Sequence, residues 1–418
     1  MALNAKLNTG LERLQLSVEI LHHPVIPFVV LGLMFMQMER HLCEKVLRKS
    51  NNKSAVGYNV KPTGSSQFDA IVTVCANIAN NSGNMTATNV VLIKLDLVRT
   101  WHLLTPAFEE AFNTNGKKWE ELDELLNENN SKKKKTNRRI PPMVYVRQLR
   151  KRIDMDTLKT IDARIQKIAD HRENKPRPDG GYHPLTIETV ELITNVYAFR
   201  NTVEELYQNF NNELERHDDS DAAYLEGPLY KYEVLSEIMK ALQGNLQEKS
   251  KQYGNSKVLR LVFLMNNYHY IVKCIGDTPL EEACGKTEMD SLRKDIADLK
   301  KKYLKESWGK IDSCLDEHDQ LSKKTTNLKR GERDAVKKKF KSFNDEFVAQ
   351  HSLQTKYSVP DSSLRADLQE RNKKYFGVRY TEMWRRYENV DFTNNKSKYF
   401  IYPPKQLEAM LDQFFEPN

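Results

Sequence analysis

Nine basic residues fall between positions 323 and 341, against only Glu332 and Asp334. Spacings of seven and four put Arg330, Lys337 and Lys341 on one flank of a helix. Val336, Phe340, Phe343 and Phe347, spaced four, three and four apart, form the apolar stripe of the same helix. Lys338 lies near the basic flank. A polar loop and the start of the last helix add Lys396, Lys398 and Lys405. The chemistry open to such a set is capture of a polyanion. Lysine is a point charge that meets phosphate without fixed geometry. Near an anionic leaflet each cation contributes about 1 kcal/mol, less as salt rises. The alternative is a solvated face with no partner. Nucleic acid fits poorly, because no aromatics interleave the ridge as stacking platforms and no nucleic-acid module is present.

A second basic run, residues 132–152, carries ten Lys or Arg and no acid. It begins in a segment with loop composition and reads as a surface charge run, with a tethered electrostatic arm as the alternative. With these two runs set aside, the rest of the chain is net acidic, although the whole chain carries +8. The basicity is therefore local, as a polyanion surface requires.

Catalytic patterns are missing. The chain has no Gly-rich phosphate loop, GxSxG, HExxH or dinucleotide fingerprint. Its ten histidines are scattered. Cys43, Cys75, Cys274, Cys284 and Cys314 have no metal-site spacing and read as reduced thiols. No enzyme, cofactor or metal is expected. Asn-x-Ser/Thr matches at Asn52, Asn80, Asn84, Asn129 and Asn395 are expected by chance in an Asn-rich chain.

The elements that must position the cations are helical. The most apolar segment beyond residue 40 is 261–273, with apolar side chains on nearly every face. A helix of that kind is buried, and this one is expected at the centre of a helical stack. Asn266, Asn267 and His269 within it need partners and are expected to fix how its neighbours dock. Pro184 suits a first helical position, and Thr186 is a candidate cap one turn on. Ile187, Val190, Ile193, Tyr197, Val203, Leu206, Phe210 and Leu214 then read as one stripe of a long helix. Further stripes run through Leu235, Met239, Leu242 and Leu246, and through Leu292, Ile296, Leu299, Tyr303 and Ile311, with Trp308 beside the latter. Leu364 and Leu368 lead on to Trp384 and Tyr387, and a last helix starts at Pro404 with Leu407, Leu411 and Phe414 inward. No strand alternation is found. The expected fold is all-α: an elongated rod of stacked antiparallel helical bundles. Residues 25–36 are apolar but too few to span a bilayer, and read as a buried or partner-packed helix, with a membrane-associated segment as the alternative.

Several segments together resemble the exocyst seventy-kilodalton subunit (exocyst complex component seven) family. They include His183-Pro184-Leu185-Thr186 with the run from Arg200 to Leu206, residues 246–253, and Phe263 to Lys273. Ser307-Trp308, Phe340-Lys341-Ser342-Phe343-Asn344, Val359-Pro360-Asp361 and Lys398-Tyr399 extend the likeness, which covers roughly residues 65–418. The resemblance implies a non-enzymatic rod of helical bundles in the exocyst, which tethers secretory vesicles to the plasma membrane. It implies binding of phosphatidylinositol bisphosphate through C-terminal basic residues, with other exocyst subunits and a Rho-family small GTPase as partners. A cytoplasmic protein, peripheral at the inner face of the plasma membrane, is the expected setting. Lys338, Lys339 and Lys341 match basic positions of the family's Phe-x-x-Phe-Asn helix, and Lys398 matches a lipid-binding lysine. Three residues on, where animal members often carry a second lysine, stands Ile401, with Lys396 and Lys405 close by. The family's long N-terminal coiled coil is expected to be missing, or replaced by an apolar segment at 1–61. Helical bundles are then expected at 62–290, and a lipid-binding C-terminal bundle at 291–418. The contrasting expectation is a protein–protein scaffold with no membrane role.

Overall fold

The computed structural model describes residues 90–99, 101–102, 142–172, 177–214, 233–315 and 328–416. The expected segment at 1–61, with its apolar stretch at 25–36, lies outside them. The chain divides into two compact units, Met1–Ile161 and Asp162–Asn418. The expected boundary at 290/291 falls within a continuous helix, Lys286–Asp312.

In the first unit, helical residues 90–99 pack Val91, Leu95 and Val98 inward, and Ile153, Leu158 and Ile161 are buried from α1 (Pro142–Ala169). Lys94 is nearly buried there. Its Nζ donates to Asp156 Oδ2 at 2.7 Å and to Thr160 Oγ1 at 2.6 Å, so the charge is satisfied.

Every regular element among the described residues of the second unit is helical, with no strand among them. After α2 (Pro184–Ala198) and α3 (Arg200–Leu214) come α4 (Glu233–Lys251), α5 (Lys257–Ile275) and the short α6 (Pro279–Cys284). Then follow α7 (Lys286–Asp312), α8 (Arg330–Gln354), α9 (Ser362–Asn372), α10 (Val378–Tyr387) and α11 (Pro404–Leu411). The centre of this unit is α5, which packs against α2, α4, α6 and α7. Val262, Phe263, Met265, Asn266, Asn267, Tyr268 and Ile271 are all buried, matching the segment apolar on every face.

The buried polar groups of α5 dock its neighbours, as expected. Asn266 Nδ2 donates to Gly180 O at 2.7 Å and to Ser358 O at 2.8 Å, clamping two distant loops. Asn267 Oδ1 accepts from His183 N at 2.9 Å and from Thr186 Oγ1 at 2.7 Å. His269 is less engaged, with Nδ1 3.9 Å from Asp361 Oδ1.

Two local expectations are corrected. Thr186 does not cap a helix. His183 is the N-cap of α2, its Nδ1 accepting from Leu185 N at 3.1 Å, with Pro184 at the first helical position. Thr186 is spent on Asn267 instead. The long helix through 187–214 is also broken at Phe199, whose N–H closes a turn onto Val196 O at 3.0 Å. Val190 and Ile193 of the expected stripe are buried in α2, together with Leu185, Thr189, Leu192 and Val196, while Ile187 is exposed.

Between α9 and α10 the backbone makes a π-helical turn, Lys373–Gly377. Leu364, Leu368, Asn372, Phe376 and Tyr380 are buried at a constant spacing of four. In a regular α-helix each such step drifts about 40° around the axis. The wider π-turn takes up part of that drift and keeps Phe376 and Tyr380 on the buried face.

Acid titration probes two of these joints. Asp361 caps α9 through Oδ1, which accepts from Ser363 N and Leu364 N at 2.9 Å, and its Oδ2 accepts from Lys273 Nζ at 2.6 Å. Burial raises this carboxyl, but the Lys273, Ser363 and Leu364 donors outweigh it and hold it well below the ordinary 3.8. Arg293 grips Glu281 with both terminal nitrogens, at 2.6 and 2.9 Å, and holds it at about 2 against an ordinary 4.5. A carboxyl held low in the folded chain contributes stability that is complete above its unfolded value and lost as pH falls through its folded one. Thermal stability is therefore expected to fall from pH 4.5 towards about 2, the window set by Glu281. Asp361→Asn is expected to lie below wild type at neutral pH and to converge on it in acid. Melting curves across that range check this, and a gap of constant size would contradict it.

Candidate polyanion-binding surface

The surface is built on α8. Its first turn is held by Glu332, whose carboxylate accepts from Lys329 N at 2.8 Å. Val336, Phe340, Phe343 and Phe347 are fully buried, so the helix cannot roll. The opposite faces carry the cations.

Arg330, Lys338 and Lys341 are exposed and form no ion pair or hydrogen bond with the described residues. Lys337 is partly covered and meets Asp334 one turn back, at 3.1 Å. Asp334 and Asp345 are exposed on the same side, so the ridge is not purely basic. Lys339 stands apart. Two residues from both Lys337 and Lys341, it falls on nearly the opposite side of the helix. There it lines a shallow cleft with Arg379, Glu382 and Arg386.

The C-terminal loop is brought to the ridge by packing. Asn344 Nδ2 donates to Tyr399 O at 2.9 Å, and Tyr380 Oη donates to Tyr402 O at 2.7 Å. Phe400 stacks inward, its ring 4.7 Å from Phe340 and 4.4 Å from Trp384. The residues that directly follow the turn Lys396–Lys398 are thereby tied to α8 at Asn344 and Phe340. Within the turn the two lysines differ. Lys396 Nζ donates to Glu388 O at 3.0 Å and lies 3.8 Å from Asp391 Oδ1, so it serves the loop. Lys398 is exposed with no described partner. Lys405, also exposed, lies in the first turn of α11, where the helix dipole disfavours a cation. Its charge has no structural reason to be there.

In the sequence Asn344 stands out only as part of the Phe-x-x-Phe-Asn run that carries the resemblance, with no sign of a docking role. Its role depends on a loop 55 residues away. The other basic run enters α1, where Arg147, Lys151 and Arg152 are exposed and Arg150 lies 3.8 Å from Asp154. Residues 132–141 of that run lie outside the described residues.

No group of His, Cys, Asp or Glu among the described residues could hold a metal ion. No helix among them is long and apolar enough to cross a membrane. Fold and surface together define an all-α helical scaffold that presents cations on a rigid frame. Comparison with known proteins then places the chain. The family formed by the C-terminal part of the Exo70 exocyst complex subunit matches residues 27–413, and the chain belongs to that family. The match starts inside the segment expected to be divergent. Exocyst complex component EXO70C2 of Arabidopsis thaliana is 30% identical over 253 residues, 60% of this chain and 35% of that protein. Exocyst complex component 7 of Homo sapiens is 26% identical over 277 residues, 63% of this chain and 36% of that protein. The chain thus spans about a third of the length of these relatives. The solved structure of S. cerevisiae Exo70 covers 86% of this chain and is itself covered over 66%, at 14% identity and a TM-score of 0.47.

Proposed function

We propose that this chain acts as an exocyst-type tethering subunit that docks secretory vesicles at the plasma membrane through an anionic phosphoinositide surface. The observation that carries this reading is the set of exposed cations Arg330, Lys338, Lys341 and Lys398, which have no partner among the described residues and are pinned on α8 and its bound loop. Family membership supplies the tethering context. Relatives named as exocyst components make other exocyst subunits the first protein partners, and a Rho-family small GTPase is a further partner in this reading. The role is non-enzymatic and peripheral, at the cytoplasmic face of the membrane. Lys339, Lys396 and Lys405 contribute to the field around the site rather than to one contact.

The test is co-sedimentation of the full chain with vesicles containing phosphatidylinositol bisphosphate. At about 1 kcal/mol per cation, changing Lys337, Lys338, Lys341 and Lys398 together to Ala is expected to weaken binding by about 10²- to 10³-fold. Helicity by circular dichroism is expected to be unchanged. Equal pelleting of the two proteins would refute the surface. Wild type that ignores the lipid would leave a protein-binding scaffold as the function.

A further inference from the structure

Two of the exposed large apolar side chains belong to the basic surface: Val348, 48% exposed, and Ile401, 45% exposed. Their orientation follows from their neighbours. Phe400 packs against Phe340, and Tyr402 lies with its ring 5.2 Å from Phe347. Ile401, between two inward rings, is turned out. Val348 follows Lys341 by seven residues and so shares its flank of α8. It lies one turn beyond Asn344, which holds Tyr399 and with it the loop that carries Ile401.

Isolated exposed apolar residues are ordinary. These two are set apart by company. Val348 shares a flank of α8 with Lys341, and Ile401 shares the docked loop with Lys398, neither lysine having a described partner. Cations beside outward apolar groups complement one layered surface in particular, an anionic bilayer, whose phosphates lie just above a less polar layer. We propose that Ile401 and Val348 enter the interfacial layer of such a bilayer while Lys341 and Lys398 hold headgroup phosphates beside them. The proposal rests on the membrane reading above. It makes binding partly insensitive to salt, which an electrostatic ridge alone would not be.

Partitioning of the full chain onto phosphatidylcholine vesicles with a few per cent phosphatidylinositol bisphosphate, measured over a range of salt, tests it. Ile401→Ser with Val348→Ser is expected to lose about tenfold in affinity with the salt slope unchanged. Lys341→Ala with Lys398→Ala is expected to flatten the slope instead. Ile401→Trp is expected to tighten binding, since Trp favours the membrane interface. Its added emission is expected to be quenched by brominated lipid beyond the wild-type level. Such a gain cannot come from misfolding. If wild type binds while the Ser variant binds equally and the new Trp stays unquenched, the insertion is overturned and the electrostatic reading stands. If wild type does not bind at all, both fall.

Discussion

Trp308→Ala is expected to destabilise the Asp162–Asn418 unit by about 3–5 kcal/mol. Trp308 is fully buried, and its ring meets Phe376 at 4.6 Å, Phe414 at 6.1 Å and Phe347 at 6.3 Å. It thereby joins α7, α8, the π-turn and the C-terminal residues in one aromatic core. Its Nε1 donates to Asn372 Oδ1 at 2.8 Å, within a buried network in which Tyr303 Oη also donates to Gln354 Oε1 at 2.5 Å. Truncation empties the centre of this core, where the rigid rings of Phe347, Phe376 and Phe414 cannot all collapse inward. Trp308→Phe keeps most of the volume and loses the indole donor, and is expected to cost about 1–2 kcal/mol. Urea unfolding followed by circular dichroism gives both values. A cost below about 1 kcal/mol for Trp308→Ala would mean that the core closes over the cavity. Because α8 is fixed through this cluster, lipid binding is expected to fail in the same urea range as the helix signal, not before it.

Asn267→Ala is expected to cost about 3–5 kcal/mol, although the residue is small and touches no cation. Its side chain is fully buried, and Oδ1 satisfies two donors of another segment, His183 N–H and the Thr186 hydroxyl. Nδ2 meanwhile donates to Phe263 O at 2.8 Å. Removal strands two donors where water cannot readily follow, at about 1–3 kcal/mol each. Asn267→Leu fills the space but pairs neither donor, so it is expected to rescue little. Hydrogen exchange adds a local readout, since the amide of His183 should lose protection before those of α7. If Asn267→Leu were as stable as wild type, apolar packing would be the main function of this position and the hydrogen bonds incidental.

Much of the helical frame was legible because burial leaves a periodic trace. Val336, Phe340, Phe343 and Phe347 repeat at helical spacing, and every one of them is fully buried. The segment centred on Met265 is apolar on all faces, and its helix packs against α2, α4, α6 and α7. Periodicity failed where a local turn reset it. Nothing about Phe199 announces a break, because the bond that closes its turn uses backbone groups that every residue carries. His183 went unread as a cap because the residue types that usually cap are Ser, Thr, Asp and Asn. The π-turn was equally hidden, though a run of buried residues four apart is its signature in retrospect.

The candidate surface divides along the same line. By itself the sequence determined that cations at 330, 337 and 341 share a flank, since helical geometry converts spacing into direction without reference to the rest of the chain. It also determined that the chain is all-α and that its basicity is local. Only the tertiary structure decided which cations are free to bind. Lys337 and Lys396 have partners within the fold, while Lys341 and Lys398 have none among the described residues. Only the fold could dock the loop that carries residue 398 on the helix that carries residue 341, through a hydrogen bond from Asn344 and a ring contact from Phe400. Those contacts join residues far apart in the chain, and no local rule links their positions. The physical reason is that spacing along a helix is set by bonded geometry, whereas the pairing of a charge is set by whatever the completed core places beside it.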